Sequence, residues 1–132
     1  MSKKYFGAGA LILFYNGQAA LFQRSDYQSG YDLPFGKIED GEGPKAAARR
    51  ECLQEIGFEI EIFDKAEPFV GTMKSNGKLC ITYLAKPKKI VLPSHEEEGS
   101  LFIGDPRLLL SGKYADYNGR MLDHFGKYLN GT

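Results

Sequence analysis

The stretch over residues 36–58, GKIEDGEGPKAAARRECLQEIGF, constrains this chain more than any other. It has room for one helix, and chemistry fixes both ends. Pro44 fits a first helical position, where its missing N–H would go unpaired in any case. Gly57 fits the left-handed position that ends a helix. Between them, residues 45–56 carry good helix formers, with Ala48, Cys52 and Ile56 spaced by four as an apolar stripe. Residues 58–63 (FEIEIF) then alternate, which predicts a half-buried strand. A chain so organised must lay a helix against a sheet.

The flanking segments supply the sheet. Residues 5–14 are apolar and β-prone, Asn16-Gly17 predicts a two-residue turn, and 18–24 predict the returning strand. A polar loop over 25–30 leads to a short extended piece at 31–35, and 36–43 read as a Gly-rich acidic loop. Residues 69–74 and 79–85 flank Ser75-Asn76-Gly77-Lys78 as a second hairpin. Residues 87–93 form a basic, Pro-bounded connection, 95–100 an acidic loop and 101–103 another short strand. Asp105-Pro106 resembles a helix start, with Gly112 as its stop. Met121, Leu122, Phe125, Tyr128 and Leu129 recur at helical spacing, predicting a closing amphipathic helix over 118–129. The hairpins argue against an all-parallel sheet. The expected class is α/β (α+β by some schemes), a mixed sheet covered by helices. The 132 residues fit one domain, 1–132.

Charge narrows the function classes. With 17 Lys+Arg against 17 Asp+Glu, the chain is no strongly basic polyanion binder. That zero is a sum of local surpluses. Residues 36–61 hold seven acids against four bases, and Lys86, Lys88 and Lys89 are offset by Glu96, Glu97 and Glu98. Two cysteines, Cys52 and Cys80, are too few for a disulfide framework and read as reduced core residues. No apolar run approaches 18 residues and no cleavage site follows Met1-Ser2-Lys3-Lys4, so a soluble cytoplasmic protein without membrane contact is expected.

On a helix at about 100° per residue, Glu51 and Glu55 lie one turn apart on one side, with Gln54 beside them. Glu42 precedes the helix in a loop able to fold back over the first turn. Three carboxylates and an amide could thus converge. Close carboxylates repel unless a cation neutralises them, and an oxygen-only set without His or Cys suits Mg²⁺ better than Zn²⁺. The same two Glu could equally be a solvated face paired with Lys45, Arg49 or Arg50.

The full spacing separates these readings. Gly36, Glu42, Arg50-Glu51, Glu55 and Gly57, with apolar Cys52 and Phe58, match six of the seven fixed positions in the signature of the Nudix hydrolases. At background frequencies of roughly 5–10% each, such agreement by accident is on the order of one in ten million. The chain therefore resembles that MutT-like family. The resemblance implies its α/β/α sandwich and hydrolysis of a pyrophosphate link in a nucleoside diphosphate joined to a group X. It implies Mg²⁺, or Mn²⁺, as cofactor and a small nucleotide as partner; nucleic acid is not expected, and a homodimer stays open.

Residue roles follow from the resemblance position by position. Glu51 and Glu55 match metal ligands, Glu51 also a helper in activating water, and the Gly36 carbonyl a further ligand. Arg50 matches the residue that orients a box glutamate. Glu42 and Gln54 fall in the outer shell. Glu98 is the expected acidic ligand from a late loop, within the run Glu96–Glu97–Glu98. Phe35, Tyr31 and Arg24 are candidate substrate contacts, with Phe22, Tyr27 and Tyr83 as further aromatics near the site.

Two residues depart from the family pattern. Gln54 stands where the family has the first of two adjacent glutamates; its amide oxygen brings no charge and cannot serve as a base. Phe35 stands where many members have Gly, and could narrow or re-aim the mouth of the site. The leading expectation is a small Mg²⁺-dependent hydrolase of nucleoside triphosphates or other small nucleotides. ADP-ribose or nucleotide-sugar substrates, RNA 5′-end processing and a non-catalytic nucleotide-binding module with a degenerate box are the alternatives.

Overall fold

The computed structural model describes residues 5–24, 30–91 and 99–129. Its strands are β1 (Gly7–Leu13), β2 (Ala19–Arg24), β3 (Phe35–Lys37), β4 (Phe58–Ile62), β5 (Phe69–Thr72), β6 (Leu79–Ile90) and β7 (Gly99–Gly104). The helices are α1 (Pro44–Ile56), α2 (Ala115–His124) and the short α3 (Gly126–Leu129), with a 3₁₀ helix at Pro106–Ser111. The strands form one mixed sheet in the order β4-β6-β1-β2-β7. β6 runs parallel to β1 along one edge of it, while β2 and β3 pair antiparallel with the other.

The pleat explains the sandwich. Alternate residues of β1 point to opposite faces, and both faces are covered. Ala8, Ala10 and Ile12 join Ala47, Ala48, Cys52 and Ile56 of α1 in one core. Leu11 joins Leu21, Leu84, Tyr117, Met121 and Phe125 on the α2 side in the other. That is why β1 shows no apolar–polar alternation. Each fully buried Leu, Ile, Phe or Met contributes about 1.5–3 kcal/mol relative to exposure. Gly7 and Gly9 of β1 leave space on the α2 side for the Phe35 ring. A Cβ at Gly7 would lie 2.8 Å from Phe35 Cε1, and one at Gly9 would overlap the ring and the Pro34 carbonyl. The bulky residue that departs from the family pattern is seated by two small ones.

Several elements differ from expectation. The first hairpin closes through three residues, Tyr15 to Gly17: the Gly17 N–H donates to the Phe14 carbonyl at 2.9 Å and Gly17 sits at φ +89°. This is a type I turn followed by a left-handed glycine, not a two-residue turn. Part of the expected Gly-rich loop is strand β3, because residues 35–37 find a partner in residues 7–9. β6 runs on through Pro87 to Ile90. A register shift against β4 absorbs the proline, with Ile60 opposite Pro87 and Glu59 opposite Lys89. The piece after Asp105 is 3₁₀, capped by the Asp105 carboxylate accepting from the Arg107 N–H at 2.9 Å. The closing helix begins earlier, at Ala115, and breaks at Phe125 before Gly126. Its start at Ala115 places Asp116 in the first turn, favourably oriented to the helix dipole.

Candidate active site

Helix α1 presents the site. Pro44 occupies its first turn, and Gly57 at φ 73° closes it, donating to the Cys52 and Leu53 carbonyls. Cys52 packs fully buried beneath, and burial pushes its thiol well above the ordinary range, so it stays a neutral core group. Glu51 and Glu55, each 8% exposed, stand one turn apart at the edge of this buried face.

Arg50 organises one half of the site. Its Nε and Nη2 donate to the two Glu42 carboxylate oxygens at 2.7 and 2.9 Å, the bidentate geometry that gives the strongest charged hydrogen bonds. Nη1 donates to Glu51 Oε2 at 2.8 Å and to Gln54 Oε1 at 3.2 Å, and Nη2 also to the Lys37 carbonyl at 3.0 Å. A guanidinium has five N–H donors; these five bonds use them all. The hydrogen bond from Arg50, helped by the Glu39 N–H at 3.0 Å, pulls the Glu42 carboxyl down to about 2. Glu42 in turn holds Arg50 above its ordinary range.

The expected convergence is therefore partial. Glu42, Glu51 and Gln54 do meet, around Arg50. Glu55 turns away to the neighbouring strand, where its Oε1 accepts from the Phe35 N–H at 3.0 Å. The Glu51 carboxylate lies against the Cα of Gly36, so closely that any Cβ there would overlap it. Strand β3 thus braces both glutamates, one by a glycine surface and one by a backbone donor. Gln54 accepts from Arg50 through its amide oxygen.

The chemistry of this donor set fits a hard divalent cation. Two buried carboxylates one helical turn apart, beside the backbone of Gly36, offer oxygen ligands only. Among the described residues no three His, Cys, Asp or Glu side chains group so as to hold a metal alone. Mg²⁺ is typically bound by one or two carboxylates, with waters and substrate phosphate completing its shell.

Other expected site residues fall elsewhere. Glu98, with Glu96 and Glu97, and Tyr27 lie outside the described residues, and only the backbone of Arg24, at the end of β2, is described. The Tyr31 ring packs on Phe102 at 5.0 Å instead of lining the site's cavity. Tyr83 packs into the core on the α1 side. Phe35 and Phe22 do line a cavity of about 210 Å³ that opens beside Glu55. Sequence reasoning missed its other walls, Asp32, Tyr114, Tyr117 and Asn118. Asp32 lies in the expected short extended piece and Asn118 opens the expected closing helix, while Tyr114 and Tyr117 precede that helix; the packing of α2 on the sheet brings them together.

Fold and box together place the chain in a class: it belongs to the NUDIX domain family of hydrolases acting on pyrophosphate bonds, with residues 5–109 matching the domain. Among solved structures, a Caenorhabditis elegans Ap4A hydrolase in a binary complex is 24% identical, covering 96% of this chain and 99% of its own, at a TM-score of 0.72. A UDP-X diphosphatase reaches 0.74 at 15% identity, over 99% of this chain and 65% of its own. A Bacillus subtilis pyrophosphohydrolase reaches 0.65 at 18%, over 95% and 85%. At these identities the likeness is one of fold, the α/β/α sandwich with its mixed sheet. No curated protein matches the chain in sequence.

Proposed function

We propose that the chain hydrolyses the pyrophosphate link of a nucleoside diphosphate joined to X, with a nucleoside triphosphate or another small nucleotide as substrate. The observation that carries this reading is the bracing of Glu51 and Glu55 by β3, with Glu55 and Gly36 lining a cavity of about 210 Å³. Glu51, Glu55 and the Gly36 carbonyl would hold Mg²⁺ or Mn²⁺. Bound there, the cation supplies neutralisation of the charge that develops on the phosphate oxygens. On this reading Glu51 would also help to accept the proton of the attacking water, the role that the family resemblance gives its position. Arg50 fixes Glu51 through Nη1 and is itself fixed by Glu42 and the Lys37 carbonyl. Catalysis on this scheme is positioning plus electrostatics. No helix among the described residues is long and apolar enough to cross a membrane.

The test is product formation across nucleoside triphosphates, nucleotide sugars, ADP-ribose and dinucleoside polyphosphates, with Mg²⁺ titrated in. Turnover that needs the cation is expected on at least one. Nucleotide binding with no turnover anywhere at high enzyme would overturn the reading in favour of a binding module.

Gln54 supplies a second test. Its oxygen already faces Arg50, so Gln54→Glu keeps that bond and adds a charge beside Glu51. Activity within about tenfold of the parent or above it is expected, with tighter Mn²⁺ binding, since added carboxylate charge strengthens hard-cation sites. A loss well beyond tenfold, measured as kcat/KM, would show that the network requires a neutral group at 54.

A further inference from the structure

Strand β7 (GSLFIG) holds no charged residue and no proline. Its three large side chains in a row, Leu101, Phe102 and Ile103, are 38%, 38% and 42% exposed. The strand ends the sheet, with β2 along its inner edge, and none of the described residues pairs with its outer edge. Open edges usually carry lysine, proline or inward-pointing charge, because a row of free N–H and C=O groups invites another strand. The other edges of this sheet follow that rule. The strand at the opposite end, β4, carries Glu59 and Glu61. β1 pairs with β6 only as far as Ala85, and the stretch of β6 that runs past it reads Lys86-Pro87-Lys88-Lys89. A second copy on that stretch would set lysines against lysines. Of these edges, only β7 offers an apolar and uncharged ladder.

The facing of its side chains fixes how a strand could add. Leu101 and Ile103 stand opposite Phe22 and Ala20, in the core on the α1 side. Phe102 stands opposite Leu21, on the α2 side, where its ring packs on Tyr31 at 5.0 Å. An antiparallel pair of identical strands has its two-fold axis normal to the sheet, so each residue meets one of the same face. Centring the pair on Phe102 sets that ring against its own copy, and Leu101 against Ile103 of the second copy, twice over. Ser100 then meets Gly104, and Asp105 meets Gly99, so no like charges oppose each other. A centre at Ile103 would bring Asp105 onto Leu101, and one at Leu101 would leave Ile103 against Gly99.

We propose that β7 is a dimer interface, through which two copies of this chain pair antiparallel about Phe102 into one continuous sheet. Main-chain hydrogen bonds join the strands, and the Phe102–Phe102 and Leu101–Ile103 contacts set the register. A second copy is the occupant because the edge is complementary to itself in both apolar pattern and charge. One pair of six-residue strands is small beside the ~1,200–2,000 Å² of a standard stable interface. The dimer is therefore weak and exchanging, half formed at on the order of 10–100 µM. Assembly stops at two, since the edges left outside are the charged ones. The proposal is independent of the hydrolytic reading, because no residue of β7 lines the cavity beside Glu55.

The test is sedimentation of the full chain from about 1 to 500 µM, which should show a monomer passing into a dimer as concentration rises. Ile103→Lys sets a charge against Leu101 of the second copy and should weaken association at least tenfold. Register is read by cross-linking. Phe102→Cys should give a disulfide-linked dimer under mild oxidation, because opposed Cα atoms in an antiparallel pair lie about 4.5–5.5 Å apart, within disulfide reach. Ser100→Cys should not, since its two copies would stand about 14 Å apart along the strands. The native Cys52 and Cys80 are buried and do not compete. Thermal melting checks each fold; should Ile103→Lys not fold, the cross-linking pair decides alone. A chain that stays monomeric throughout, growth beyond two copies, parent-like association of a folded Ile103→Lys, or cross-linking at 100 as fast as at 102 would overturn the proposal.

Discussion

Glu55→Gln is expected to remove most turnover while leaving the fold in place. The side chain keeps its volume and its oxygen can still accept from the Phe35 N–H, the 3.0 Å bond that ties α1 to β3. What disappears is one negative charge at the edge of a buried helix face. In a catalytic scheme that depends on charge neutralisation, deleting one electrostatic element typically costs on the order of 10²–10³ in kcat. A comparable loss is expected here, with weaker Mg²⁺ and Mn²⁺ binding by direct titration. The melting temperature should hold or rise, because Glu51 loses a like-charged neighbour one turn away. Near-normal kcat in a variant that melts normally would show that the ligand assignment is wrong. Glu42→Gln is the informative control: Glu42 touches the site through Arg50, so its loss should be smaller, about the 10–100-fold typical of outer partners.

The contrast between Glu55 and Gln54 shows what the sequence could and could not carry. A helical wheel puts Glu51, Gln54 and Glu55 on neighbouring arcs, and the bounds of α1 follow from Pro44 and Gly57, so this half of the site was legible from local rules. The direction in which each side chain turns was not. Glu55 faces Phe35 because β3 pairs with β1, a contact between segments about 28 residues apart that no local pattern encodes. The strand through Pro87 was hidden for a related reason: proline argues against a ladder until a bulge opposite Glu59 and Ile60 is known. The cavity beside Glu55 was the least visible. Asp32 and Asn118 are ordinary polar residues in sequence, and only the docking of α2 on the sheet makes them two sides of one slot. Gly7 and Gly9 likewise gain meaning only once the Phe35 ring is seen lying on them.

Arg50 is the residue whose loss should spread furthest. Its five donors meet four groups, Glu42, Glu51, Gln54 and the Lys37 carbonyl, drawn from the loop, the helix and β3. Lysine offers a point charge with three donors and cannot reproduce the fork to Glu42. Arg50→Lys should therefore resemble Arg50→Met more than the parent, each losing on the order of 10–100-fold in kcat/KM as Glu51 loses its anchor. The network is partly exposed, so the stability loss should be moderate, about 1–3 kcal/mol for charged hydrogen bonds of this kind. Its pH dependence has a definite sign. The Glu42 carboxyl falls from 4.5 to about 2 in the folded chain because Arg50 donates to it. A depressed carboxylate stabilises the fold above its unfolded value, and the contribution is lost as pH falls from about 4.5 toward 2. The stability gap between the parent and Arg50→Met should accordingly be full at pH 7 and shrink below pH 4.5 in melting experiments. Carboxyl NMR should find Glu42 back near its ordinary range in the variant. A gap that stays constant or widens on acidification would mean that Arg50 stabilises the protein through packing of its side chain and not through the charge it gives to Glu42.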